Sequence, residues 1–87
     1  MATPEIEIYT RFGCGYCVRA KHLLDSKGVT YREHDVSFGG HEKREMLMRV
    51  PNAVTVPQII IGGTPIGGCD DLYALERAGK LDAMLGR

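Results

Sequence analysis

Two cysteines separated by two residues, Cys14-Gly15-Tyr16-Cys17, stand where a strand-like stretch, Glu5 to Thr10, gives way to a helix-like one. Thiols at this spacing can close a small disulfide ring. At the start of a helix, the unpaired N–H groups and the positive end of the dipole favour a thiolate on the first sulfur. Disulfide exchange is therefore the first chemistry to consider, with Cys14 as the nucleophile and Cys17 as the resolving thiol. Half of a zinc knuckle has the same spacing, so the motif alone leaves a metal site open.

The rest of the chain narrows the choice. Its 87 residues suffice for one small domain, 1–87, with one core. Eleven basic and eleven acidic residues cancel, so nothing global points to nucleic acid or to an acidic membrane surface. Residues 1–50 hold eight of the eleven Lys and Arg, a bias that suits either a solvated face or a small anionic ligand. Three cysteines are too few for a disulfide scaffold, and the N-terminus has neither the apolar run of a signal peptide nor a membrane span. A reducing compartment, the cytoplasm, is the expected location, where a Cys-X-X-Cys is a working pair or a metal ligand. The histidines, His22, His34 and His41, show no ligand spacing with the cysteines.

Periodicity supplies the elements that must position the thiols. Ile6 and Ile8 alternate with Glu5, Glu7 and Tyr9, which predicts a strand with the isoleucines facing the core. Cys17, Ala20, Leu23 and Leu24 recur at helical spacing, so Cys17 belongs to the buried side and Cys14 to the exposed one. Val29 to Val36 reads as a second strand, and strand, helix, strand in this length implies a parallel pair. His41 to Arg49 forms an amphipathic helix offering Met46, Leu47 and Val50 to a core and stopped by Pro51. Gln58 to Ile61, a Gly62-Gly63 turn and Thr64 to Ile66 form a hairpin. Asp70 or Asp71 then caps a last helix through Leu72 and Leu75, with a further turn at Leu81 to Leu85. The order βαβ, α, ββα implies an α/β fold, a four-stranded mixed sheet with helices on its two faces.

Cys14-Gly15-Tyr16-Cys17, then Thr55-Val56-Pro57, then Gly67-Gly68-Cys69-Asp70-Asp71-Leu72, in this order and at these separations, resembles a dithiol glutaredoxin of the thioredoxin fold. The resemblance spans nearly the whole chain, and the stretch from Gly67 through Leu81 is similar to bacterial glutaredoxins in particular. It implies glutathione as co-substrate. Arg11 would then meet a glutathione carboxylate; by position alone it is equally a surface charge or a cation favouring the Cys14 thiolate. A cis Val56–Pro57 bond, where a lone proline would be read as trans, would present the Val56 backbone to the ligand's cysteinyl unit in strand fashion, beside Thr55. Gly68 permits close approach, and the N–H groups of Cys69 and Asp70 would receive the γ-glutamyl carboxylate, with Asp70 or Asp71 on its ammonium. The same turn without a ligand would simply be a capped helix. Tyr16 packs on the ligand in this picture. Arg44 matches a position that meets the glycyl carboxylate, although a helix-surface arginine looks the same. Cys69 reads as a small buried residue or as a redox-sensitive third thiol.

Two departures from the family pattern bear on function. Gly15 stands where proline is common, and Val54 where many relatives carry a basic residue. The resemblance accordingly implies two activities. One is a glutathione-dependent oxidoreductase acting on protein–glutathione mixed disulfides and protein disulfides, monomeric and without a metal. The other is a carrier in which Cys14 of two protomers and two glutathiones hold a [2Fe-2S] cluster. A thioredoxin-type reductase would leave the Gly68-Cys69-Asp70 turn without a ligand.

Overall fold

The computed structural model describes residues 4–87. Four strands, β1 (Ile6–Thr10), β2 (Arg32–Asp35), β3 (Gln58–Ile61) and β4 (Thr64–Gly67), form one sheet in the order β2-β1-β3-β4. The β1–β2 pair is parallel, with Ile8 opposite Glu33, as the strand-helix-strand order requires. Strands β1 and β3, and β3 and β4, are antiparallel. Gly62 and Gly63 turn the β3–β4 hairpin with φ of 58° and 83°, values that glycine reaches at no steric cost. Pro65 sits on the edge strand, where its missing donor faces no partner.

Helix α1 (Gly15–Ser26) buries the expected stripe of Cys17, Ala20, Leu23 and Leu24. It joins α3 (Cys69–Arg77) and the short α4 (Leu81–Met84) over one face of the sheet. The core there contains Ile6, Ile8, Ile59 and Ile61 below Leu24, Leu72, Leu81 and Leu85. The opposite face is covered by α2 (Gly40–Arg49), which packs Met46 on Tyr9, Val36 and Ile60. Helices thus lie on both faces, as the pattern predicted.

The structure departs from three sequence expectations. Every residue of β1 is buried, Glu7 and Tyr9 included, because β1 is a central strand beneath helices on both sides. The alternation of β1 therefore separates two buried faces rather than a core face from a wet one. Strand β2 is confined to Arg32–Asp35; Val29 and Tyr31 pack against the core before the pairing begins. Leu47 stays outside the core and 37% exposed, since Met46 and Val50, one turn apart, already form the stripe of α2 that meets the sheet.

Glu7 is charged and almost enclosed. Arg49 Nη2 donates to its Oε2 at 2.6 Å, and His34 Nε2 lies 3.0 Å from its Oε1. Arg49 Nη1 donates to the Tyr9 hydroxyl at 3.0 Å, which donates in turn to Glu45 Oε1 at 2.9 Å. The Arg49 guanidinium beside Glu7 holds its carboxyl at about 2, below the ordinary 4.5, against the opposing effect of burial and with help from His34. Among the described residues no helix is long and apolar enough to cross a membrane.

Candidate active site

Strand β1 runs directly into the thiol pair. Cys14 is the N-cap of α1, with extended backbone angles (φ −94°, ψ 107°), and its Sγ accepts the Cys17 N–H at 3.1 Å. The sulfur thus occupies the place where a Ser or Asp side chain normally caps a helix, facing free amides and the positive dipole end. Its side chain is partly exposed, whereas Cys17 is 2% exposed. Burial pushes the Cys17 thiol up to about 12, and the hydrogen bond and charge of Cys14 act in the same direction against the Arg11 backbone. Two thiols three residues apart are therefore differentiated by position alone: one is accessible at the open helix end, the other enclosed and held protonated.

Across from Cys14 lies the loop that precedes β3. The Val56–Pro57 bond is cis, and the Cys14 thiol lies 3.8 Å from the Val56 carbonyl oxygen. Beyond Val56 a groove of about 430 Å³ is bounded by Tyr16, Thr55, Pro57, Gly68 and Asp70. Its far wall is the β4–α3 turn. Gly67 has φ of +108°, and a side chain there would put its Cβ 2.7 Å from Asp71 Cγ. At Gly68 a Cβ would come 3.2 Å from the Pro57 carbonyl, so glycine is what lets this turn close against the proline loop.

Helix α3 is capped by Asp71 and not by Asp70. The Asp71 Oδ2 accepts the Gly68 N–H at 3.0 Å from the third helical position. That leaves the Asp70 carboxylate exposed beside the groove and the first-turn amides of Cys69 and Asp70 pointing out of the helix end. Cys69 is among the groove's lining residues yet is only 4% exposed, and burial raises its thiol.

Most of the residues singled out in the sequence converge here. Cys14, Cys17, Tyr16, Thr55, Val56, Pro57, Gly68, Cys69, Asp70 and Asp71 all border the thiol or the groove. Arg11 is exposed and lines both the depression at Cys14 and a neighbouring one that runs from Val56 towards α2. Arg44 does not join them. It projects from the exposed side of α2, outside the linings of the groove and of the two depressions beside Cys14, and the basic residue on the wall of that neighbouring depression is Lys43, one residue and about 100° away around the helix. Spacing from Thr55 alone could not place this rotation. Gln58 was also missed: buried, it lines the groove and donates from Nε2 to the Thr55 carbonyl at 2.8 Å, which holds the Thr55–Pro57 segment in position. A polar residue immediately after the proline was the available signal. The histidines go elsewhere, His34 to Glu7 and His41 to Glu45.

Comparison with known proteins agrees with this geometry. The glutaredoxin family model matches residues 6–66. A glutaredoxin of Pseudomonas aeruginosa is 56% identical over 82 residues, covering 94% of this chain and 96% of the relative. The solution structure of glutaredoxin from Brucella melitensis superposes with a TM-score of 0.82 at 48% identity, covering 100% of this chain and 96% of that one. A buckwheat glutaredoxin–glutathione complex superposes with a TM-score of 0.84 at 33% identity, covering 95% and 77%. With a thiol capping a helix at the end of β1 and relatives this similar along the whole domain, the chain belongs to the glutaredoxin family, thiol–disulfide oxidoreductases of the thioredoxin superfamily.

Proposed function

We propose that this chain reduces protein–glutathione mixed disulfides, and protein disulfides, with glutathione as the electron donor. The observation that carries the reading is the position of the Cys14 sulfur, 3.8 Å from the Val56 carbonyl at the head of the groove. A ligand paired with the Val56 backbone would hold its cysteinyl sulfur beside Cys14. The free amides of Cys69 and Asp70 suit the γ-glutamyl carboxylate, Asp70 suits its ammonium, and Tyr16, 58% exposed, covers the ligand. Asp71 acts through the turn it caps. Arg11 and Lys43 flank the path of the glycyl carboxylate, in place of Arg44. The buckwheat complex supports glutathione as the ligand of such a groove.

In this reading the Cys14 thiolate attacks the glutathione sulfur of the mixed disulfide. A Cys14–glutathione disulfide forms and the protein leaves as a thiolate that takes up a proton. A second glutathione thiolate attacks the glutathione sulfur, releasing glutathione disulfide and restoring the Cys14 thiolate. With a protein disulfide, Cys14 forms the mixed disulfide and Cys17 resolves it, giving a Cys14–Cys17 disulfide that glutathione reduces. Part of what keeps Cys17 protonated is the neighbouring Cys14 sulfur, and its charge disappears once Cys14 is bonded to a substrate. That part of the restraint on Cys17 is lifted at the step in which it must attack, while burial, the larger part, persists. The chain works as one domain, 1–87, in a reducing compartment such as the cytoplasm, and as a monomer.

The test is reduction of a small glutathione mixed disulfide by the Cys17→Ser and Cys14→Ser variants. Retained activity in the first and none in the second is expected; an inactive Cys17→Ser beside an active parent would replace this route with a dithiol cycle. A second reading, a [2Fe-2S] carrier with one Cys14 from each of two protomers and two glutathiones, is favoured by Gly15, where an added Cβ would meet nothing within 4 Å and the helix end stays open to a second chain. Visible absorbance and dimer formation after anaerobic reconstitution with iron, sulfide and glutathione would establish it; a colourless monomer would exclude it.

A further inference from the structure

Both phenylalanines of this chain are nearly naked: Phe12 is 91% and Phe38 96% exposed. Single apolar residues in water are ordinary in a small protein. These two share one place. Phe12 precedes the thiol pair, Phe38 lies in the β2–α2 loop, and the Phe12 N–H donates to Ser37 Oγ at 2.7 Å, tying the two loops together. Phe12 also lines, with Cys14, Cys17 and Val18, a depression of about 470 Å³ that has no lining residue in common with the groove bounded by Tyr16, Val56 and Gly68.

The charges of this depression are mostly satisfied from within. Lys21 pairs with Glu33 at 3.1 Å, Glu33 also accepts from Thr10 Oγ1 at 2.7 Å, and Asp35 accepts the Ser37 N–H at 2.8 Å. Arg11 and Lys43 make no ion pair among the described residues. The Asp35 carboxylate and the glycyl carboxylate of a bound glutathione offset these two cations, so what distinguishes the depression is its apolar rim.

We propose that this depression, with Phe12 on its wall and Phe38 beside it, binds the protein part of the mixed disulfide, favouring a segment with an apolar side chain next to its cysteine. The inference rests on the glutathione reading above. If glutathione fills the groove at Val56, whatever enters the depression around Cys14 during reaction is attached to the other sulfur of the same disulfide, which is the protein. Burial of the two rings on the incoming segment supplies both the affinity and the preference for an apolar neighbour of the cysteine.

Two synthetic nonapeptides of equal charge test this, each with one glutathionylated cysteine, one flanked by Leu on both sides and the other by Ser. The parent is expected to favour the first by about tenfold in kcat/KM, the scale of an apolar anchor. Phe12→Ser/Phe38→Ser should abolish that preference, and Phe→Leu at both positions should restore most of it. Turnover of the mixed disulfide of glutathione and 2-mercaptoethanol should stay within about twofold of the parent, the behaviour expected of rim residues that touch no part of the small substrate. An equal fall on both peptides, or an unchanged preference, would overturn the proposal. So would a parent that sediments as a dimer and a double variant that sediments as a monomer, since the rim would then serve self-association. If the double variant does not fold, Phe38→Ser alone, at a 96% exposed position, carries the same comparison. Failure of the parent on the small mixed disulfide would instead remove the glutathione reading beneath it.

Discussion

The three thiols are one functional group in three environments. Cys14 caps a helix and is partly exposed, Cys17 is pushed up to about 12 by burial and by Cys14, and Cys69, the first residue of α3, is raised by burial. Alkylation by iodoacetamide at pH 7.5 should therefore stop at one adduct per native chain, located on Cys14 by peptide mass spectrometry. Cys17 and Cys69 should react only in denaturant. A native chain that takes label first on Cys69 would show that the α3 thiol is open to solvent and would return the redox-sensitive reading of that residue. Neither cysteine's burial required any residue more unusual than the Leu and Ala of its own helical stripe.

Helix α2 is fastened differently from α1 and α3. Met46 is its one buried residue, with Val50 packed beside it at the C-cap, and much of its remaining attachment is polar: the Arg49–Glu7 ion pair and the hydrogen bonds of the Tyr9 hydroxyl with Arg49 and Glu45. Because the folded-state Glu7 carboxyl titrates at about 2 and the free one near 4.5, its contribution is fully present above about pH 4.5 and is lost as pH falls towards 2. Urea unfolding at pH 6 and pH 3 should show the parent losing about 2 kcal/mol through this group, the unfolded state taking up the proton first. Arg49→Met should cost about 2 kcal/mol at pH 6, since it leaves the Glu7 charge enclosed without its main partner, and the gap to the parent should narrow at pH 3. An Arg49→Met variant as stable as the parent at pH 6 would mean that α2 is held by Met46 and Val50 alone. The wall of the depression that carries Lys43 depends on this helix, so the same variant should raise KM for glutathione before it lowers kcat.

At the scale of the molecule, the central strands β1 and β3 are shared by two apolar cores, and the last turns of the chain seal the larger one. Leu81 and Leu85 are fully buried with Leu24, Leu72 and Ile59, on the side of the sheet away from α2. Lys27, at the end of α1, bridges Glu76 at 2.7 Å and Asp82 at 2.9 Å, drawing α3 and α4 to the same corner. Leu85→Ala should lower stability by about 3 kcal/mol, the usual cost of emptying a buried leucine site, seen as a lower urea midpoint. Activity per folded molecule at low urea should be unchanged, because Leu85 does not line the thiol site.

Local chemistry was legible in the chain itself. The position of Cys14 before a helix, the buried phase of Cys17, the glycine turn of the hairpin and the βαβ, α, ββα order of elements all follow from spacing and from the limited conformations that Gly, Pro and apolar stripes allow. What only the tertiary structure decided involves a second surface. Glu7 looked like the wet half of an alternating strand until α2 covered it. Lys43 and Arg44 cannot be told apart without the rotation of α2 about its axis, and Asp71 rather than Asp70 became the cap through the path of the Gly67–Gly68 turn. Periodicity specifies which side of an element is buried against something. Burial of both sides, and the partner each polar group finds, depend on elements far apart in sequence, and those contacts carry no mark in the local pattern.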